Sequence, residues 1–183
     1  MSKPSSGYFS GTAGSQNSSK NLSQTDYGSV IIFSKDSGEK EYPTKYKQMS
    51  SKKLKMLREK KKNRTITKEE YKRLEWQRRL TSRRNEAVKG FWERESYLIK
   101  NNLSTTRNWS AQQRRDILSG KKPRYKGKTI ISHHTYSVAR YPHLANKAEL
   151  IFPATHYEHF YGWHGGNTRN SLPGKPIEKI FEF

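Results

Sequence analysis

Apolar residues recur at helical spacing in the middle of the chain. Over residues 67–119 many lie three or four positions apart, beginning with Tyr71 and Leu74, which places them on one face of an α-helix. We therefore predict helices here, joined by short turns that include Asn101 and Asn102. A second periodic stretch forms a broad stripe that we expect to pack in the core: Ala87, Val88, Phe91, Trp92, Glu95 and Leu98.

Three pairs of polar residues have the spacing of capping boxes, in which two side chains satisfy each other's free backbone N–H groups at the start of a helix. The pairs are Thr67 with Glu70, Ser110 with Gln113, and Thr155 with Glu158. They predict helices that begin near residues 68, 111 and 156. The second should stop at Gly120, and the third should run to Trp163 and end at Gly165 and Gly166. A short basic helix is also predicted over residues 50–63.

After Pro123 the pattern becomes strand-like. Residues 128–132 are short and β-branched, which predicts a strand that ends at a pair of histidines. Residues 150–152 predict a second short strand stopped by Pro153, with a long loop between the two. The predicted order is strand, loop, strand, helix. Residues 1–34, rich in Ser, Gly, Asn and Thr, predict a flexible tail or linker in which only residues 30–33 have the pattern of a strand.

Charge changes this picture, because the chain has 37 Lys and Arg against 16 Asp and Glu, a formal net charge of +21. Residues 51–128 alone carry 26 basic and 8 acidic residues. Such a block favours a polyanionic partner, since each phosphate that it neutralises releases condensed counterions. Nucleic acid is the leading candidate. An anionic membrane, an acidic protein or a merely solvated charged face are the alternatives.

The chain has no cysteine, which excludes disulfides and thiolate metal sites. No apolar stretch reaches the length of a membrane span, and the N-terminus lacks the apolar core of a secretory signal, so we expect neither. Any metal ion must be held by imidazole, carboxylate or carbonyl groups.

All six histidines lie between His133 and His164, and none precedes them. Histidine is the commonest metal ligand and moves protons near neutral pH, so this window is the candidate reaction centre. One histidine from the strand end and two from the helix can supply three neutral metal ligands, while the other strand-end histidine takes a proton from water. This chemistry suits phosphodiester hydrolysis. On an ideal α-helix, however, His164 lies about 140° from His159.

These segments resemble the HNH/endonuclease VII superfamily, in its SHH/GHH branch, over residues 109–175. The resemblance is carried by Ser132-His133-His134-Thr135-Tyr136-Ser137-Val138, by Tyr141-Pro142-His143-Leu144-Ala145-Asn146, by Glu158-His159 and by Trp163-His164-Gly165-Gly166-Asn167. It implies a small, treble-clef-like ββα-metal nuclease finger. With the basic helices predicted before it, we expect an α+β protein with a flexible tail or linker over 1–50, a basic helical region over 51–108 and an HNH/endonuclease VII-like nuclease domain over 109–183.

The resemblance also implies roles for individual residues. His133, His159 and His164 would be metal ligands and His134 the general base, with His156 or Asn167 as alternatives to His164. His143, taken by itself, is expected to be a hydrogen-bonded residue that is either at the surface or half-buried. The residues predicted to hold substrate are Lys128, Arg140, Asn167, Arg78, Arg79, Arg83 and Arg84.

The predicted function is a metal-dependent endonuclease that uses one divalent ion, Mg²⁺, Mn²⁺, Ni²⁺ or Zn²⁺, with DNA favoured as the substrate and RNA as the alternative. Members of this branch are mostly toxin modules of bacterial polymorphic toxins, which implies secretion or delivery into the cytoplasm of a target cell and a cognate immunity protein. The alternative is a non-catalytic nucleic-acid-binding module with a structural zinc held by histidines.

Overall fold

The computed structural model describes residues 41–42 and 46–183. The predicted tail over 1–34 and its strand-like segment 30–33 lie outside the described residues. Within them, three α-helices are followed by four short strands and a π-helix. The elements are α1 (Ser51–Lys62), α2 (Lys68–Lys100), α3 (Ala111–Leu118), β1 (Arg124–Tyr125), β2 (Lys128–Thr129), β3 (Ile131–His134), β4 (Ile151–Ala154) and the π-helix Glu158–Trp163.

The predicted helix starts are confirmed by reciprocal hydrogen bonds. The Thr67 and Ser110 hydroxyls accept from the backbone N–H groups of Glu70 and Gln113, whose side chains accept from the two cap residues in return. The helix α1 begins after Ser50, whose hydroxyl accepts from the N–H of Lys53. Each cap satisfies donors that have no partner within the helix, so the capping-box signals in the sequence locate the starts of α2 and α3.

The helix α2 is one continuous element of 33 residues, where the sequence predicted separate periodic stretches. Its predicted stripe is confirmed as core: Ala87, Phe91 and Glu95 are buried, and Trp92 is half-buried. Ala87 and Phe91 pack against Ile151 of β4. Farther along α2, Ile99 packs with Trp109, Ile117 and Ile130, while Leu74 packs with Met49 and Leu57 of α1. The helix is thus the support on which the strands rest.

The strands differ from the prediction at two points. The segment predicted as one strand over 128–132 is divided at Ile130, so that β2 pairs with β1 and β3 pairs with β4, both antiparallel. Pro153, predicted to stop the second strand, lies inside β4 opposite Ser132. Proline, which lacks a backbone N–H, is tolerated there because β4 has a single neighbouring strand. The carbonyl of Pro153 accepts a hydrogen bond from Arg107.

The strands β3 and β4 with the helical segment at 156–163 form the predicted ββα finger, and the fold is α+β as predicted. Phe152 and Ala154 of β4 pack against Trp163, which attaches the helical segment to the hairpin. Across the part of the chain that the structure describes, no helix combines the length and the apolar character that a bilayer crossing requires.

Candidate metal centre

Three histidines from two elements converge between β3 and the π-helix. His133 of β3, His159 of the π-helix and His164 just after it each offer one ring nitrogen, and these atoms all lie within 4.8 Å of one another. The ring centroids are 5.0 Å apart for His133 and His159, and 4.7 Å apart for His159 and His164. The predicted trio is therefore brought together in space.

The π-helix explains how two histidines five residues apart share one site. Hydrogen bonds from residue i to i+5 bring positions five apart close to the same face, whereas an α-helix separates them by about 140°. The predicted helix over 156–163 is thus present, but its last six residues, Glu158–Trp163, have π geometry. It ends as predicted, because Gly165 and Gly166 take the left-handed conformation that glycine favours, with φ of 53° and 78°.

Burial keeps two members of the trio neutral. Burial, with repulsion from His159 and His164, lowers the pKa of His133 to about 2. Burial, followed by repulsion from His164 and His156, lowers the pKa of His159 to about 4. Neutral imidazole is the form that binds a metal ion, so these two side chains have the required protonation state at neutral pH.

Neighbouring groups orient two of the rings. Nδ1 of His164 bonds the backbone carbonyl of Asn170, which leaves Nε2 as the nitrogen available to a ligand. The ring of His133 lies 4.5 Å from the ring of Trp163, which is itself buried. A donor set of three imidazoles, two of them oriented by neighbouring groups and two neutral through burial, fits a divalent ion such as zinc. Fewer than four protein ligands is typical of catalytic sites.

The adjacent His134 is held by different partners. Successive side chains of a strand point to opposite faces, and His134 is not a member of the three-histidine group. Its Nε2 lies 3.2 Å from the carbonyl of Ala145. Since a carbonyl only accepts, Nε2 carries the hydrogen and Nδ1 is the nitrogen able to take a proton. Burial and then the charge of Arg84 lower the pKa of His134 to about 4, against the opposing effect of the Ala145 hydrogen bond.

A buried ion pair anchors the π-helix to the rest of the molecule. Arg107 and Glu158 form two hydrogen bonds of 2.6 and 2.7 Å, and both side chains are almost completely buried. The predicted capping box is confirmed, since Glu158 also accepts from the N–H of Thr155 and the Thr155 hydroxyl accepts from the N–H of Glu158. Burial raises the pKa of Glu158, but the hydrogen bonds from Arg107 and from the N–H of Thr155 together lower it by more than burial raises it. The pKa therefore lies below its ordinary value, and the carboxylate is charged.

The remaining histidines and Asn167 lie elsewhere. His156 is exposed, and His143 is half-buried against the ring of Tyr42, with centroids 4.8 Å apart. The Asn167 side chain accepts from the N–H of Arg169. The geometry therefore groups His164, rather than His156, with His133 and His159.

The predicted substrate-binding residues lie on α2, on β2 and in the loops that follow β3 and the π-helix. Arg79 and Lys128 are exposed, Arg78 is exposed and donates to Glu75, and Arg140 lies 3.8 Å from Glu41. Two neighbours on α2 differ from these. Arg84 is half-buried, and its charge lowers the pKa of His134. Arg83 donates hydrogen bonds to the carbonyl of His143 and to the side chain of Asn146.

Several contacts that shape the site were missed from the sequence. Arg107 meets Glu158 across 51 residues, and the carbonyls of Ala145 and Asn170 hold His134 and His164. A backbone carbonyl has no sequence signal. The capping box of Glu158 did mark that residue, but not its ion pair.

The α+β fold with a ββα finger and a histidine trio is consistent with the HNH-type nuclease fold. In agreement, residues 74–155 match the sequence model of one family, described as the GHH signature containing HNH/Endo VII superfamily nuclease toxin (Tox-GHH). Over residues 74–155 the chain is therefore similar to this family of nuclease toxins, as the resemblance predicted. A search of the curated proteins found no match.

The matched range adds to the predicted one at its start. It includes α2 from Leu74 onward, which the resemblance over 109–175 left out, and it ends at Thr155, before His159 and His164. The division at residue 109 stays a prediction. Structurally, α2 packs against β4 through Phe91 and Ile151, and Trp92 donates to Ser132 of β3 at 2.9 Å.

Proposed function

We propose that this protein is a metal-dependent endonuclease that hydrolyses phosphodiester bonds, with DNA as the favoured substrate. The observation that carries the proposal is the convergence of three histidines: His133 lies within the region that matches a nuclease toxin family, and His159 and His164 follow it. Nothing about the three imidazoles requires a fourth protein ligand. Open positions on a bound ion are what a hydrolytic site needs.

In this proposal His133, His159 and His164 hold one divalent ion, Mg²⁺, Mn²⁺, Ni²⁺ or Zn²⁺. When bound, such an ion stabilises negative charge on the scissile phosphate and on the leaving oxygen. The protein's contribution is to fix the ligands. His164 is oriented by Asn170, and His133 is enclosed by Trp163, so little rearrangement accompanies binding.

His134 is the proposed general base. With Nε2–H donated to the Ala145 carbonyl, the ring presents Nδ1 to a water molecule and removes its proton as the water attacks phosphorus. A base positioned by a hydrogen bond on its other ring nitrogen keeps one tautomer and one orientation. Burial lowers the pKa of His134, so its ring is in the neutral form at neutral pH, the form that can accept a proton.

The basic residues of α2 and β2 are proposed to hold the nucleic-acid backbone. Arg78, Arg79 and Lys128 are exposed, and the charge of Arg84 lowers the pKa of the proposed base. Contacts to phosphate oxygens position a duplex without reading its sequence, so we infer a nuclease with little sequence preference. The predicted contacts of Arg140 and Asn167 belong to the same proposal.

The family also suggests the biological setting. We infer that the protein acts as the toxin module of a bacterial polymorphic toxin, is delivered into the cytoplasm of a target cell, and is neutralised in the producing cell by an immunity protein. The support for this setting is the family match, and the delivery route lies beyond it.

The competing function is a non-catalytic module in which histidines hold a structural zinc. A structural site is usually closed by four protein ligands. Over residues 41–42 and 46–183 the group of metal-binding side chains has three members. This count favours the catalytic function.

One experiment tests the proposal. Purified protein is incubated with plasmid DNA and, separately, with total RNA, in the presence of each of the four metal ions or of chelator. We expect cleavage of DNA that depends on metal. Metal binding without cleavage of either substrate would favour the structural zinc module, and cleavage of RNA alone would replace DNA with RNA as the substrate.

A further inference from the structure

The position of Arg83 differs from that of the other basic residues of α2. Arg78 and Arg79 are exposed, but Arg83 is half-buried and reaches the loop between β3 and β4. Its Nη2 donates to the carbonyl of His143 at 2.7 Å and to Oδ1 of Asn146 at 2.8 Å. Because Nη2 carries two hydrogens, these two bonds use both of its donors.

The loop held by Arg83 is the one that orients His134. The carbonyl of Ala145, which accepts from Nε2 of His134 at 3.2 Å, lies in sequence between the two residues that Arg83 contacts. Ala145 is itself buried, so its carbonyl belongs to the packed part of the loop. A shift of residues 143–146 therefore moves the acceptor of the proposed base.

The loop is also held from within, because the buried Leu144 packs against Tyr136 and Tyr141. It contains two short 3₁₀ turns, Pro142–Leu144 and Ala148–Leu150, in which the N–H of Ala145 lies 3.4 Å from the carbonyl of Pro142. That distance is at the long end of the range for hydrogen bonds. Arg83 supplies the shorter contacts, and it does so from a long helix that is packed against the hairpin.

We propose that Arg83 is a positioning residue for His134 and acts through the loop 143–146, instead of binding phosphate. The chain of contacts runs from Arg83 to His143 and Asn146, and from Ala145 to Nε2 of His134. This proposal rests on the proposed function for its kinetic consequence. The hydrogen-bond arrangement itself can be measured without any cleavage.

The proposal makes kcat, and not KM, the parameter that Arg83 controls. A misplacement of about 1 Å far from the reacting atoms can lower a rate by about 100-fold. Arg83→Gln removes the two contacts as well as the charge, and we expect kcat to fall by 10- to 100-fold with KM changed by less than about threefold. A phosphate ligand would give the reverse, a raised KM with kcat retained.

Asn146 provides a second variant that leaves every arginine in place. Asn146→Ala removes one acceptor of Arg83, whereas Asn146→Asp keeps an oxygen at that position. We expect Asn146→Ala to lower kcat as Arg83→Gln does, and Asn146→Asp to retain it. In the double variant Arg83→Gln/Asn146→Ala, the fold loss of kcat should be smaller than the product of the two single losses, because the residues belong to one network. Arg79→Ala is the contrasting variant, expected to raise KM.

The decisive experiment combines these rates with nitrogen-15 NMR of the His134 imidazole in the full chain, assigned with His134→Ala. In the parent we expect hydrogen on Nε2, and in Arg83→Gln and Asn146→Ala a mixture of tautomers. An unchanged His134 spectrum in both variants, or a raised KM with unchanged kcat in Arg83→Gln, overturns the proposal. If the parent cleaves neither DNA nor RNA, the proposed function fails, and the NMR result still decides whether Arg83 positions His134.

Discussion

The metal centre and the outer face of α2 differ in burial and in how tightly their side chains are held. In the centre, His133, His164 and the supporting Glu158 are buried or half-buried, and each has specific neighbours that fix its orientation. On α2, Arg79 and Lys89 are exposed to solvent. We infer that proton transfer and metal binding depend on atoms in fixed positions, whereas holding a polyanion depends on the density of positive charge.

One helix serves both regions. The inner face of α2 supports the hairpin, with Phe91 against Ile151 and Trp92 bonded to Ser132, next to His133 in the chain. Its outer face presents basic side chains to solvent. Substitutions on the two faces should therefore separate cleanly into effects on rate or folding and effects on binding.

The largest effect is expected at His134. Replacing it with alanine removes the proposed base, and general base catalysis contributes roughly 10²- to 10⁴-fold, so cleavage should fall by that amount. Metal affinity should be largely retained, because His134 lies outside the histidine trio. Rates on plasmid DNA and calorimetric titration with metal measure the two quantities. Full activity in His134→Ala would refute the assignment, and loss of metal binding would exchange the roles of His133 and His134.

The second effect concerns stability and contrasts two glutamates. Glu158→Gln breaks the buried ion pair with Arg107, and such losses cost about 3–5 kcal/mol, so the melting temperature should fall markedly. Glu93→Gln on α2 removes an exposed pair with Lys89 at 3.6 Å, which should cost no more than about 1 kcal/mol. Thermal unfolding followed by circular dichroism measures both. Equal losses in the two variants would contradict the distinction between the buried and the exposed region.

The third effect lies within the trio. His159→Ala and His164→Ala should each weaken metal binding about 10-fold or more, the scale on which even groups around the ligands act. His156→Ala is the matched control, because this residue is on the same helical segment but exposed and outside the trio. Calorimetry with Zn²⁺ or Mn²⁺ gives the affinities. If His164→Ala binds as the parent does, His164 is not a ligand, and His156 or Asn167 becomes the candidate.

Local signals predicted more of the molecule than long-range ones. The capping boxes at Thr67, Ser110 and Thr155 located helix starts, because a cap involves residues only three apart. The apolar stripe on α2 identified its buried face, since helical periodicity is a property of neighbouring residues. The order strand, loop, strand, helix followed from the same kind of evidence.

What the sequence did not predict depends on contacts between distant residues. The π geometry that joins His159 to His164 has hydrogen bonds between residues five apart, where an α-helix has them between residues four apart. No residue pattern predicts this difference. The strand break at Ile130 depends on two pairing partners that lie on either side of the segment. In the sequence, Arg83 is one of many basic residues and was predicted to hold substrate with them. Only its hydrogen bond to Asn146 in the structure indicates another role.

The smallest effect per residue is expected on the outer face of α2. Binding to duplex DNA should weaken steeply with salt, with a log–log slope of about −0.9 for each phosphate neutralised. Arg78→Glu and Arg79→Glu should each flatten the slope by about that amount and weaken binding alike for unrelated sequences, since phosphate contacts carry no sequence information. Fluorescence anisotropy of the His134→Ala protein at several salt concentrations measures the slope.

The control for this last prediction comes from the same helix. Arg83→Gln should leave the salt slope close to that of the parent, because its side chain is engaged with His143 and Asn146 and not with solvent. A slope near zero in the parent would mean that the basic residues of α2 form a solvated face or a docking surface for an inhibitor. A slope that Arg83→Gln flattens as much as Arg79→Glu would mean that both arginines contact phosphate, and the contrast between the two positions on α2 would then be lost.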